Sequence, residues 1–219
     1  MCNRFRSIDA AENSARALQE HVRLNFPSGW NVAPTDLAPI VIGTLDGPPQ
    51  GVLARFGFTM YGRLLMNARS DKVQQLHKTS LKARRCVIPV LGYYEWRTED
   101  DQKQPYFFER NDGQAMTLAG IWREAEHKSD TRPSFLIVTE EPNEFTRQYH
   151  NRIPFVLADD QVEPWLDLSH PVNPDRSMML SHELFSVRPM LKAMNRPVVK
   201  ELDQIDPEAE AVRVKLGIS

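Results

Sequence analysis

The sequence lacks the features that mark several large classes of protein. No apolar run approaches the ~20 residues that a helix needs to cross a bilayer, and the first residues, Met1 to Arg6, lack the apolar core of a secretory signal. Lys and Arg (27) do not outnumber Asp and Glu (29), so the charge of −2 argues against bulk coating of nucleic acid. We expect a cytoplasmic protein with no membrane partner, whose Cys2 and Cys86 are free thiols in a reducing compartment.

Several sequence motifs are also absent. No Cys/His spacing resembles a zinc site, so no metal is expected. The chain has no phosphate-cradling glycine loop and no Gly-x-Ser-x-Gly elbow. It also has no internal repeat, low-complexity tract or linker, and its 41% hydrophobic and 26% charged residues are ordinary for a globular protein. A single domain over residues 1–219 is therefore predicted.

Strand patterns dominate after a first helix, which the capping box of Asp9 and Glu12 predicts. Asn111–Gly113 is typical of a hairpin turn. Few long helices separate the strands, which favours an α+β fold with a mostly antiparallel, curved, barrel-like sheet and peripheral helices. The predicted strands are Leu37–Ile42, Gly51–Phe58, Cys86–Trp96, Pro105–Arg110, Met116–Trp122, Ser134–Glu140, Ile153–Ala158 and Leu184–Val187. The predicted later helices are Arg69–Thr79, Pro142–Tyr149, Gln161–Leu168 and Pro207–Leu216.

Cysteine at position 2 changes the functional question. The initiator methionine is usually removed ahead of a small residue, so we predict a mature chain that begins at Cys2. Its amine and thiol then lie on adjacent carbons. A neutral amine forms an imine with an aldehyde, and the neighbouring thiol can close a five-membered thiazolidine ring at high effective molarity. The alternative is that cysteine stands here by accident.

Three other polar residues stand in unusual surroundings. Glu95 shares a strand face with Tyr93, where partial desolvation would raise the pKa of the carboxyl; a paired edge-strand glutamate is the alternative. His150 follows a short helix and can shuttle protons near neutrality, or can be a capping or core histidine. Asn67 follows three apolar residues and, if buried, needs partners; a strand-end cap is the other reading.

Ordered blocks over roughly residues 1–160 carry a family resemblance. They are Met1-Cys2-x-Arg4-Phe5, Trp30–Pro34, Asn67-Ala68-Arg69, Gly92–Trp96, Lys103–Tyr106, Ala119–Trp122, Phe135–Thr139 and His150–Pro154. The chain thereby resembles the SOS-response-associated peptidase (SRAP) family of abasic-site processing proteins. Any one block is weak, and the ordered set with cysteine at position 2 is specific.

The resemblance implies a function and a set of roles. Cys2 would capture the aldehyde of an abasic site in single-stranded DNA as a thiazolidine crosslink. Asn67 would orient the amine or the adduct, and Glu95 would act as general acid and base. His150 would move the sugar proton or the ring-oxygen proton, and could support strand scission by β-elimination. The DNA-binding residues would be Arg4, Arg69, Arg152, Pro34 and Thr139. Self-processing peptidase activity, no cofactor, a monomer and association with the nucleoid when bound to DNA are also implied.

The sequence departs from the family pattern at Asn3, at Asn151 and over residues 56–62, where Phe58 and Tyr61 are candidates to replace tryptophans that would stack on bases. Three other functions stay open. One is a non-covalent binder of single-stranded or modified DNA. Another is a peptidase or amidohydrolase with Cys2 as an N-terminal nucleophile. The third is an unrelated structural or prophage-type accessory protein.

Overall fold

The computed structural model describes residues 2–7, 29–125 and 131–216. The predicted first helix, which begins at Asp9, lies outside these residues. The strands are β1 (Phe5–Ser7), β2 (Leu37–Ile42), β3 (Gln50–Phe56), β4 (Phe58–Met60), β5 (Arg63–Leu65), β6 (Asn67–Arg69), β7 (Arg85–Glu99), β8 (Gln102–Arg110), β9 (Met116–Arg123), β10 (Ser134–Glu140), β11 (Ile153–Pro154), β12 (Val156–Leu157) and β13 (Phe185–Pro189). The helices are α1 (Ser70–Leu76), α2 (Lys78–Ala83), α3 (Glu144–Arg147), α4 (Val162–Leu166), α5 (Leu202–Ile205) and α6 (Ala209–Leu216).

Five of the strands close into a barrel, in the order β7, β2, β3, β10, β9 and back to β7. The β3–β10 pair is parallel, and the other four pairs around the barrel are antiparallel. The helices lie outside this core. An α+β fold with a barrel-like, mostly antiparallel sheet is thus confirmed.

Side-chain alternation divides the apolar residues between two sides of the barrel wall. On β10, Phe135 and Ile137 join a buried cluster to which all five barrel strands contribute, and which therefore fills the interior. Leu136 and Val138 point the other way and pack with residues of α1, α2 and α4. Among the described helices, none is long and apolar enough to span a membrane.

The long strand β7 serves two parts of the fold. Its first half, Arg85–Val90, pairs with β9 in the barrel, and its second half, Gly92–Glu99, continues as an arm that pairs with β8. The predicted hairpin through Asn111–Gly113 is therefore wrong, because β8 and β9 each pair with β7 and no pairing joins them to each other within the described residues. A strand of 15 residues has room for both partners.

The N-terminal segment is fixed along this arm. Phe5 of β1 pairs with Tyr93 of β7, and the buried Arg6 Nη2 donates to the Asp206 carboxylate at 2.7 Å. The Arg4 carbonyl accepts from the Tyr94 N–H at 3.0 Å. These contacts bring Cys2 into the same buried cluster that fills the barrel interior.

Candidate active site

The Cys2 side chain is fully buried, and its Sγ lies 3.9 Å from the Arg4 carbonyl oxygen, to which the thiol donates. Burial raises the pKa of the thiol, and the nearby Glu95 carboxylate raises it further because it repels a thiolate. The sulfur is therefore protonated at neutral pH. To act as a nucleophile it needs an acceptor for its proton.

Glu95 lies on the arm of β7, directly opposite Tyr106 of β8, and only 1% of its surface is exposed. Burial raises the pKa of its carboxyl to about 8. A carboxyl with this pKa is mostly protonated at pH 7 yet loses its proton readily, so it can donate in one step and accept in the next. Glu95 follows Tyr94, whose N–H donates to the Arg4 carbonyl, so the pairing of β1 with β7 brings the chain next to Cys2 alongside Glu95.

Asn67 and Thr139 come from neighbouring parallel strands, since Ile137 pairs with Asn67 and Thr139 with Arg69. Both amide atoms of Asn67 and the hydroxyl of Thr139 are buried, and none has a hydrogen-bond partner within the described part of the chain. Buried polar atoms in folded proteins are almost always satisfied. The two groups lie on the same face of paired strands, two positions apart in register, and a polar ligand there would supply the missing bonds.

His150 is held by the turn that follows α3. A capping box between Asn143 and Thr146 begins this helix, and the His150 N–H donates to the Thr146 carbonyl at 3.2 Å. The ring Nδ1 lies 3.1 Å from the Arg152 N–H and 3.2 Å from the Arg152 carbonyl oxygen. Because the N–H can only donate, we assign Nδ1 as its acceptor and the proton of the neutral ring to Nε2. Burial lowers the pKa of His150 to about 4, which makes the ring a neutral hydrogen-bond donor at pH 7.

An open groove of about 920 Å³ is lined by Glu95 and His150 among these groups. Its described lining residues include four cationic and two acidic side chains, and are Asn3, Arg4, Arg69, Glu95, Trp96, Lys103, Glu141, His150, Asn151, Arg152 and Asn195. The positive excess is local, since the whole chain carries a charge of −2. Such a groove suits an anionic polymer better than a neutral ligand.

The arginines of the groove differ in how they are held. Arg69 is half exposed and pairs with both oxygens of Asp71, at 3.0 and 2.8 Å. Arg152 is buried and donates to the Thr139 carbonyl, while its Nε and Nη1 have no partner among the described residues. Arg4 donates to the Asn31 side chain at 3.0 Å, so much of its guanidinium serves the fold.

The structure brings most of the predicted site residues together. Five of them, Arg4, Arg69, Glu95, His150 and Arg152, line the groove. Cys2, Asn67 and Thr139 are not among the described lining residues. Asn67 and Thr139 adjoin the lining residue Arg69 in the paired strands β6 and β10, and the lining residue Glu95 affects the pKa of Cys2. Pro34 is half-buried and is not among the described groove residues. Within the described ranges, no group of three or more His, Cys, Asp or Glu side chains could hold a metal ion.

Three residues in or near the groove were assigned no functional role from the sequence. Lys103 and Trp96 line it, although both stand in the quoted family blocks and could have been noted there. Tyr93 lies beneath it with a buried hydroxyl, and alternation with Glu95 was the available signal.

Phe58 and Tyr61, the two aromatic residues predicted to stack on bases, differ in exposure. Phe58 is buried, with the Arg123 guanidinium 4.2 Å from its ring centre, so it belongs to the core. Tyr61 is 94% exposed in the turn between β4 and β5 and has a positive φ of 52°. Of the two, only Tyr61 presents its ring to solvent, and it is not among the described groove residues.

The fold and the site define a barrel protein of the α+β class with a cysteine, a carboxyl and an imidazole around a cationic groove. The profile of the family described as SOS response associated peptidase (SRAP) matches residues 1–197, and the chain belongs to this family.

Similar proteins with names and structures agree with this membership. The abasic site processing protein YoaM of Bacillus subtilis is 27% identical over 201 residues, covering 84% of this chain and 87% of the relative. The abasic site processing protein YedK of Escherichia coli is 27% identical over 191 residues, covering 76% and 79%. A phage-related protein of Bordetella bronchiseptica has a TM-score of 0.71 at 22% identity, covering 86% and 93%, which shows a shared fold.

Proposed function

We propose that this protein captures the ring-opened aldehyde of an abasic site in single-stranded DNA, through a thiazolidine formed by Cys2. The observation that carries the proposal is the pairing of a cysteine near the amino terminus with a carboxyl of pKa about 8 beside a cationic groove. The names of the relatives, abasic site processing proteins, support the substrate class.

The reaction needs the amine of Cys2 to be free, which removal of Met1 would provide. The neutral amine attacks the aldehyde carbon, and the resulting hydroxyl leaves as water with the proton of Glu95. This step forms an iminium and a Glu95 carboxylate. The carboxylate then takes the thiol proton, and the sulfur bonds to the iminium carbon to close the ring. Glu95 ends protonated, as it began, so the cycle balances.

The other groups have supporting tasks in this proposal. With its proton on Nε2, His150 donates to the sugar ring oxygen and favours ring opening. Asn67 holds the amine or the adduct with its unpartnered amide. β-Elimination is a side reaction of the iminium, in which the Glu95 carboxylate takes a sugar proton. The same cysteine and carboxyl would cleave a peptide bond ahead of Cys2, which is the self-processing activity that the family description suggests.

The test is a reaction of the mature protein with a single-stranded oligonucleotide that carries one abasic site. We expect a heat-stable band on a denaturing gel, whose mass is the sum of both molecules less one water. Undamaged DNA gives no band, and neither does protein whose intact mass shows that an extra residue still precedes Cys2. A shift on a native gel alone would instead support a non-covalent binder. Cleavage of a peptide amide, with the DNA left unreacted, would support an N-terminal-nucleophile amidohydrolase.

Arg69→Gln should weaken non-covalent binding of single-stranded DNA. We expect a loss of about tenfold in affinity, because Arg69 is the exposed arginine of the groove. The slope of log affinity against log salt should fall by about 0.7, the value for one phosphate contact on a single strand. Fluorescence anisotropy at several salt concentrations, with undamaged oligonucleotide, measures both quantities.

Arg213→Gln is the matched control for this variant. Arg213 also pairs with both oxygens of one carboxylate, Asp203, at 2.7 Å each, but it lies on α6 outside the groove. Its replacement should leave affinity and salt slope unchanged. Equal losses in the two variants would remove Arg69 from the DNA contact.

A further inference from the structure

Tyr93 carries a hydroxyl group that packing alone does not explain. The residue lies on β7 two positions before Glu95, and so on the same face of the strand. It is fully buried, and its Oη has no hydrogen-bond partner among residues 2–7, 29–125 and 131–216. A buried hydroxyl without a partner destabilises the fold. Phenylalanine would fill the same space without this cost.

The position of this hydroxyl is set by the packing of the ring. The Tyr93 ring stacks on Phe108 of β8, with centres 4.7 Å apart and planes 9° apart. The Phe5 backbone pairs with Tyr93 on β1. Cys2 belongs to the same buried cluster as all three of these residues. The ring is therefore held rigidly in the compartment that contains the thiol.

Two ionisable groups share the surroundings of Tyr93, since Glu95 lies on the same face of β7 and Cys2 belongs to the same buried cluster. Burial raises the pKa of Tyr93 well above its usual value, and negative charge on Glu95 or Cys2 raises it further. The phenol thus stays protonated at physiological pH and can serve as a donor. A donor fixed in a site without water stabilises charge that develops beside it far more than it would in solution.

We propose that the Tyr93 hydroxyl donates a hydrogen bond to the Cys2 sulfur as the thiol gives up its proton, and so speeds closure of the thiazolidine ring. This rests on the proposed function. The proton passes from sulfur to the Glu95 carboxylate, the sulfur forms a bond to the iminium carbon, and the C=N electron pair moves to nitrogen. Tyr93 keeps its own proton throughout. The Tyr93 hydroxyl, which has no partner among the described residues of the free protein, then has the Cys2 sulfur as its partner during the reaction.

The test is Tyr93→Phe, which removes one oxygen atom and keeps the ring that stacks on Phe108. Mature protein reacts with a single-stranded oligonucleotide containing one abasic site, and samples are divided at each time. Borohydride traps the iminium in one half, while heat without borohydride leaves only the closed thiazolidine in the other. We expect ring closure to slow about tenfold or more, the effect of one hydrogen bond to a charged group, while the trapped iminium is retained or increases.

Tyr94→Phe is the control, since it makes the same change one residue away. The Tyr94 hydroxyl donates to the Trp30 carbonyl at 2.7 Å and accepts from Arg6 Nε at 3.3 Å, so its role is in the fold. Its loss should leave the ratio of iminium to thiazolidine unchanged, even where the melting temperature falls.

Two results for Tyr93→Phe would overturn the role proposed for Tyr93 without affecting the proposed function. One is closure at the wild-type rate. The other is an equal loss of iminium and thiazolidine, which indicates a structural defect. Wild-type protein that forms neither species would overturn the proposed function as well, so the two failures are distinguishable.

Discussion

Cys2→Ser should reduce the yield of heat-stable adduct with abasic DNA more than about 10³-fold. The serine variant keeps the amine and can still form an imine, but its hydroxyl does not close the ring in place of the thiol. The imine hydrolyses on heating, whereas the five-membered ring survives. Denaturing gels with and without borohydride measure the two species: the variant should give a band only in the sample that was reduced.

Cys86→Ala is the matched control, because Cys86 is the other fully buried thiol of the chain. It lies on the barrel half of β7, paired with Gly120 of β9. The alanine variant should crosslink at the wild-type rate once differences in folding are corrected for. A heat-stable adduct formed by Cys2→Ser would exclude the thiazolidine mechanism.

Glu95→Gln slows adduct formation at pH 7 by about 10²-fold, the lower end of what general acid–base catalysis contributes. Because burial raises the pKa of Glu95 to about 8, the acid form dominates below that pH and is lost above it. The wild-type rate should therefore rise as the amine becomes neutral and then fall as pH passes through about 8. Glutamine cannot donate a proton to the leaving hydroxyl, so the falling limb disappears. Single-turnover rates from pH 5.5 to 9.5 measure the profile.

Glu141→Gln removes a carboxylate from the same groove at an exposed position and serves as the control. Its pH–rate profile should keep the falling limb and the wild-type rate to within a small factor. A profile that is the same in Glu95→Gln and wild type would take Glu95 out of the acid–base role. Loss of the falling limb of the pH–rate profile in both Glu95→Gln and Glu141→Gln would show that the pH dependence comes from the overall charge of the groove.

Local patterns predicted two barrel strands that are buried on both faces. β2 and β10 begin and end at the predicted residues, since each is a short continuous apolar run with polar or turn residues at its ends. The predicted strand Ile153–Ala158 is instead two short strands, β11 and β12, which pair with different neighbours. β6 was missed because its three residues form a strand only through parallel pairing with β10, far along the chain.

The candidate site was likewise predictable from local sequence only in part. The chemistry of Cys2 depends on its position in the sequence, and alternation already placed Glu95 on the face of Tyr93. No local pattern contains the network that fixes β1, in which Arg4 donates to the Met194 carbonyl at 3.3 Å and Arg6 to Asp206 at 2.7 Å. Arg4 and Arg69 look alike in the sequence, yet one is held largely by the fold and the other stands exposed.

The sequence by itself determined which reactive groups the protein has, and which strand faces carry them, because residue type and a period of two are local properties. Only the tertiary structure decided how those groups behave. The pKa of the Glu95 carboxyl, the protonated state of the Cys2 thiol, the tautomer of His150 and the unpartnered hydroxyl of Tyr93 all depend on what surrounds each group. Burial and electrostatics are set by contacts between distant segments, and they turn a cysteine near the amino terminus into a candidate catalytic centre.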